Sequence, residues 1–208
     1  MKLAHQPVDI FQVFGETPQV LTEVLQDGVN LAVWRRRLPA QLEDFAELLV
    51  SLGQPLADQR VIDVDEQQMP VLTELLREAA DLQGYEAFVA DVAWLVAAYA
   101  CLVGARRVGL RLRVLAGPMC PRFHVDNVPL RLLTTYVGPG SEWLPEHESQ
   151  RAKLLTDKPA VDNIQRLQAG EVAVLKGEKW QGNEGAGLVH RSPPVQQGRL
   201  LLSLDWLA

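Results

Sequence analysis

The chain has 208 residues, 48% of them hydrophobic and 22% charged, with a formal net charge of −6. That length and apolar content allow one substantial core, in one domain or a compact pair. The acidic balance argues against broad affinity for nucleic acid or an anionic membrane surface, and two cysteines behind a start without a secretory pattern point to a reducing cytoplasm.

In chain order, Val29 to Trp34 reads as a strand, and Leu42, Phe45, Leu48, Leu49 and Leu52 recur at helical spacing until Gly53 closes the run. Arg60 to Val64 is a further strand candidate, and Val71 to Leu82 and Tyr85 to Val103 read as two helices separated around Gly84. The second of these is rich in Ala, Val and Leu, but Asp91 and its length favour a buried helix over a membrane span. Trp94, Val96 to Ala98 and Cys101 are expected on its packed side, and Gly104 is placed to end it. Residues 1–104 are therefore expected to form a mainly helical flanking region.

Beyond residue 105 apolar and polar residues alternate. Val108 to Leu115, Leu130 to Val137, Val172 to Leu175 and Leu200 to Leu204 are candidate strands, with glycine-rich turns at Gly138 to Gly140 and Gly182 to Gly187. Residues 105–208 thus fit an all-β core of jelly-roll or cupin-like form, giving an α+β chain. An exposed ladder in such a barrel is covered at low cost by pairing with a second copy, so a homodimer is compatible with this reading.

The chemistry concentrates in this half. His124 and Asp126 are two apart, so on a strand both point to one side while Val125 packs on the other. If the chain folds back in antiparallel strands, His190 supplies a third donor, and two histidines with one carboxylate make the facial triad of non-heme Fe(II) sites. Pro193 and Pro194 break the chain, and Arg199 opens the next strand near the metal. Cys120 lies four residues before His124, and a thiolate within reach would favour Zn(II). His5 and His147 lack such a context and read as surface residues. Trp143 and Trp180 are candidates for a pocket lining or for packing, and Lys176, Glu178 and Lys179 for a solvated rim. Arg122 and Arg131 would either attract an anionic substrate or pair with acidic neighbours.

The HxD pair, distant histidine and following arginine resemble the Fe(II)/2-oxoglutarate-dependent dioxygenases, whose core is a double-stranded β-helix. The resemblance implies iron on His124, Asp126 and His190, 2-oxoglutarate held at its distal carboxylate by Arg199, and Tyr136 as a further carboxylate partner. Leu201 stands where several of these enzymes carry a serine, with Ser203 two residues on. Arg191 stands beside His190, where its charge would oppose a nearby cation unless it points to the other face of the strand, which alternation permits.

The strings Cys120 to Asp126, Leu130 to Gly140 and Gly187 to Pro193 are in turn similar to a bacterial family catalogued as a domain of unknown function. Genes of that family often lie beside those of zinc-handling GTPases, which implies an alternative: a non-enzymatic, zinc-binding cupin-like protein in metal homeostasis. The oxygenase reading calls for a small co-substrate and a substrate of unspecified identity; neither reading calls for a membrane or nucleic acid.

Overall fold

The computed structural model describes residues 9–54, 56–146 and 163–207. His5 and His147 lie outside the described residues.

A seven-stranded sheet forms the body of the protein, in the order β1 (Phe11–Gly15), β2 (Val29–Trp34), β8 (Val172–Lys176), β5 (Leu130–Val137), β10 (Arg199–Leu207), β4 (Arg107–Leu115) and β3 (Ala57–Asp63). Only β1 and β2 pair in parallel, joined through a 3-10 helix at Pro18–Leu25; every other neighbour is antiparallel. A smaller sheet orders β7 (Gln165–Arg166), β6 (Glu142–Trp143) and β9 (His190–Arg191), and β9 is extended by an isolated antiparallel bridge between His190 and His124.

Period-two alternation decides what each face of the large sheet meets. Leu200, Leu202 and Leu204 of β10, Leu110 and Leu112 of β4, and Leu130, Leu132 and Tyr136 of β5 join α1 (Ala40–Ser51) and α2 (Tyr85–Val103) in the main core. Phe88 sits at its centre, with ring centroids 5.0 Å from Phe45 and 4.7 Å from Tyr136. Truncating such a buried ring to alanine costs about 3–5 kcal/mol. The other face packs a second cluster against the small sheet: Leu31 and Val33, Leu133, Ala173 and Leu175, Leu201, and Trp143 opposite them.

α2 is long and apolar enough, by length and composition, to cross a membrane, yet Phe88, Val92, Leu95, Val96 and Tyr99 are buried within the main core. Gly84 precedes it at φ 93°, where a Cβ would press within 2.8 Å of the Gln41 carbonyl oxygen. Trp94 and Cys101, expected on the packed side, are exposed instead, because the buried stripe follows Val92, Leu95, Val96 and Tyr99.

The N-terminal stretch is less helical than its sequence suggests. It contributes β1, β2 and β3 beside the two helices, so it extends the large sheet at both edges as well as covering one of its faces. Val71 to Leu82 is not a helix: turns surround a single 3-10 turn at Arg77–Ala79. Leu72, Leu75, Leu76 and Ala79 are buried, and that spacing produced the helical signal. The backbone is instead captured by β3, where Asp58 accepts from the Leu76 amide at 3.3 Å and Arg60 donates to the Glu74 carbonyl. Leu76 takes a left-handed φ of 52°, which breaks the helical ladder.

Candidate metal and co-substrate site

Between the two sheets lies a cavity of about 290 Å³, and the residues on its walls follow from the strand registers. From β10 come Arg199, Leu201 and Ser203, from β4 Arg111 and Arg113, from β5 Arg131 and Leu133. The β9 side supplies His190, and the connection between β4 and β5 supplies His124 and Asp126.

His124 and His190 exchange both backbone hydrogen bonds, each N–H donating to the other's carbonyl at 3.0 Å. This bridge sets their rings side by side, with centroids 4.6 Å apart. The loop carrying Asp126 is pinned by the chain after β8: Gly177, Glu178 and Lys179 amides donate to the carbonyls of Pro129, Asp126 and Val128 at 3.0, 3.0 and 3.2 Å. Position 177 must be glycine for this, since a Cβ would lie 2.4 Å from the Asp126 carbonyl oxygen and 2.2 Å from that of Val128. Val125 turns away and packs over Gly187.

One donor atom each from His124, Asp126 and His190 falls within 4.8 Å of the others, a spacing that fits a single ion; Cys120 is not in this cluster. Nδ1 of His124 faces the Arg122 carbonyl at 2.9 Å and Nδ1 of His190 that of Leu188 at 3.2 Å. Those carbonyls place the ring proton on Nδ1 and leave the Nε2 lone pairs for a metal. Both Nε2 atoms face Asp126, at 3.6 Å from Oδ1 and 3.3 Å from Oδ2. Burial pushes the Asp126 carboxyl up, but the two imidazoles, which donate to it through Nε2 when they carry a second proton, and the Arg131 guanidinium outweigh it and hold it well below the usual carboxylate range. Its bond to Asp126 raises the pKa of His124, against burial.

Behind the triad stands a second tier that the sequence did not reveal. Arg131 donates to Asp126 Oδ2 at 2.7 Å and is itself clamped by Asp205, at 2.6 Å through Nε and 3.1 Å through Nη2. Asp205 also pairs with Arg111. The register puts Asp205 directly opposite Arg131, so β5 and β10 together orient the carboxylate. Of the two roles open to Arg131 in the sequence, pairing with acidic neighbours is the one seen. Arg191 is held by Glu142 at 2.7 Å and lies over the Phe123 ring, which takes up its charge.

Arg199 differs from all of these. Only 2% exposed, it donates from Nη2 to Ser192 Oγ at 3.0 Å, while Nε and Nη1 have no hydrogen-bond partner among the described residues. Ser192 is anchored by accepting from the Cys120 amide at 3.3 Å and donating its own amide to the Cys120 carbonyl at 2.9 Å. Burial lowers the Arg199 pKa.

The remaining expectations divide. Tyr136 is not in the cavity: alternation along β5 sends it to the helical side, where its buried hydroxyl donates to Asp91 at 2.7 Å and burial drives its pKa well up. Asp91 is held there by two bonds from Arg36, at 2.7 and 3.0 Å. Trp143 belongs to the core between the sheets, and Trp180 packs near Trp206. Lys176 is buried, not on a rim, with Nζ donating to the Gln26 carbonyl at 2.7 Å.

A family profile described as protein of unknown function (DUF1826) matches residues 15–205. The chain belongs to the DUF1826 family. No curated protein matches it. Among solved structures, this DUF1826 chain is similar to the dioxygenase for auxin oxidation 1 of Arabidopsis thaliana in its binary complex with 2-oxoglutarate: TM-score 0.58 at 10% identity, covering 96% of this chain and 92% of that one. The rice dioxygenase for auxin oxidation gives a TM-score of 0.53 at 13% identity, over 96% and 83% of the two chains. At these identities the likeness concerns the fold: a mixed α+β chain with a large, mostly antiparallel sheet, similar to the double-stranded β-helix of 2-oxoglutarate oxygenases.

Proposed function

We propose that this DUF1826 protein is a non-heme Fe(II)-dependent and 2-oxoglutarate-dependent oxygenase. His124, Asp126 and His190 hold the iron on one face, and Arg199 takes the distal carboxylate of the co-substrate. The observation that carries this is Arg199: a guanidinium buried on the wall of the cavity that holds the triad, with two of its nitrogens unpartnered among the described residues. A buried, unpaired charge is costly, and a carboxylate bound bidentately removes the cost. When bound, the iron and co-substrate supply an oxidation in which 2-oxoglutarate, dioxygen and a C–H compound yield succinate, carbon dioxide and the hydroxylated product.

The chain's own groups prepare for that. Asp126 stays ionised, so metal binding displaces no proton from it. The Leu188 and Arg122 carbonyls fix the imidazole tautomers, and Arg131 fixes the plane of the carboxylate from behind. Leu133 and Leu201 supply an apolar wall, which strengthens the Arg199 contact by limiting water. The zinc-binding alternative gains no support here, because Cys120 stands outside the ligand cluster and Arg199 would have no role in it.

Anaerobic reconstitution with Fe(II) tests the proposal. A visible charge-transfer band that requires both Fe(II) and 2-oxoglutarate, and disappears in Arg199→Met, is expected. Alanine at Asp126 or at His190 should abolish iron-dependent succinate formation. Absence of the band, with one equivalent of zinc retained, would overturn the proposal in favour of a zinc protein.

A further inference from the structure

Five arginines line the cavity, in a chain whose net charge is −6: Arg111, Arg113, Arg131, Arg191 and Arg199. Three carboxylates answer them. Arg131 shares Asp126 and Asp205, Arg111 leans on Asp205, and Arg191 on Glu142, which it shares with Arg166 outside the cavity lining. Iron(II) and doubly charged 2-oxoglutarate would cancel one another, so the loaded cavity keeps an excess of two positive charges. Crowding is visible in Arg111, whose pKa is lowered by burial and by Arg131 and Arg113 beside it.

Of the two guanidiniums without a carboxylate among the described residues, Arg199 is sealed in and Arg113 is not. Arg113 sits on β4 opposite Leu201, half-buried, and its one hydrogen bond is to Met119 Sδ at 3.2 Å. Met119 and its neighbour Cys120 are exposed, so Arg113 marks the open side of the cavity. A thioether is a weak acceptor that a true anion displaces. A cleft of one sign focuses its field and draws in ligands of the other, and the guanidinium fork matches carboxylate and phosphate oxygens. The volume, about 290 Å³, lies at the low end for small-molecule sites and leaves room for a small reactant beside the co-substrate.

We infer that the compound oxidised here is a small anion, carrying a carboxylate or a phosphate group that docks on Arg113 at the cavity entrance. The word oxidised rests on the oxygenase reading; the anion site itself does not.

The test uses the full chain loaded with Zn(II), a diamagnetic and redox-inert stand-in, and saturated with 2-oxoglutarate. Inorganic phosphate and acetate are titrated separately at low ionic strength, followed by the arginine Nε–H signals in nitrogen-15 NMR. At least one probe should shift the Arg113 signal and saturate, and binding should weaken about tenfold or more in Arg113→Gln and with added salt. Preference for phosphate would point to a phosphate ester, preference for acetate to a carboxylic acid. Arg113→Gln should keep its 2-oxoglutarate affinity within about threefold, and Arg199→Gln should lose it. Equal probe binding in Arg113→Gln, or no probe binding beside normal 2-oxoglutarate binding, would overturn the inference. Loss of 2-oxoglutarate affinity in Arg113→Gln would reassign that residue to the co-substrate and overturn it as well. Failure of 2-oxoglutarate to bind at all, with an Arg113-dependent probe site intact, would defeat the oxygenase reading and leave the anion site standing.

Discussion

Replacing Arg199 by methionine should push stability and co-substrate affinity in opposite directions. The guanidinium is 2% exposed and has one bond, to Ser192, with Nε and Nη1 unpartnered among the described residues. Exchanging an uncompensated buried charge for an apolar chain of similar length relieves desolvation, by about 1–2 kcal/mol on the precedent of buried ion replacements. For a chain of this size each kcal/mol moves the melting temperature by about 2–4 °C, so the metal-free variant should melt about 2–8 °C higher. Ser192 keeps its bonds to the Cys120 backbone, so the loop is not expected to collapse. Losing one partner of a buried charge pair costs about 2–5 kcal/mol in binding. Affinity for 2-oxoglutarate should therefore fall by about thirty-fold to several thousand-fold. Calorimetric melts of the metal-free proteins and anaerobic titration of the Fe(II) forms read the two effects separately. Unchanged co-substrate affinity, or a variant destabilised by as much as it was expected to gain, would refute the reasoning and make Arg199 a structural residue.

Arg131→Met should weaken Fe(II) binding by about ten- to a hundred-fold without unfolding the chain, because Asp126 loses the group that orients it; a metal titration followed by circular dichroism checks both. Metal and proton compete at His124, whose pKa is raised above its ordinary value, so as pH is lowered Fe(II) affinity should fall through that raised pKa by up to about tenfold per unit. The stability linked to that proton has the opposite sense: it is complete below the unfolded pKa and lost as pH rises through the folded one, which urea melts of the metal-free protein at several pH values would reveal. Tyr136→Phe should cost about 1–2 kcal/mol, since Asp91 loses a buried donor, and leave 2-oxoglutarate affinity unchanged; a large affinity loss would return Tyr136 to the site.

The three clustered donors were readable from residue types and spacing, although the strand expected to carry two of them is a loop. The spacing of His124 and Asp126 marked the pair, but not for the reason of strand pleating: only His124 bridges to His190, and Asp126 follows on the loop between β4 and β5. What escaped depends on partners far apart in sequence. Asp205 gains its meaning from standing opposite Arg131 in the register of β10 on β5, and nothing in a lone aspartate near the end of the chain announces that. Gly177 looks like any turn glycine until the Asp126 loop is found pressed against it. Tyr136 lies away from the cavity for a related reason: its chemistry suits a carboxylate, but the parity that sends Arg131 and Leu133 into the cavity sends Tyr136 to the helices. Val71 to Leu82 shows the converse, where helical spacing of leucines survives but the backbone bonds to β3.

The two walls of the cavity are unequal, and this has a mechanical meaning. On one side β4 and β10 run for nine residues each, inside a seven-stranded sheet backed by the helices. On the other, β6, β7 and β9 are two residues long, and the histidine pair is joined by one isolated bridge. Short ladders open at low free energy, long ones only with global unfolding. Arg199 is mounted on the rigid wall and His190 on the yielding one, so a molecule that engages both acts as a strut across the sandwich. Filling the site should then slow amide exchange along β6, β7 and β9 far more than along β10, turning the thin wall from a door into a panel.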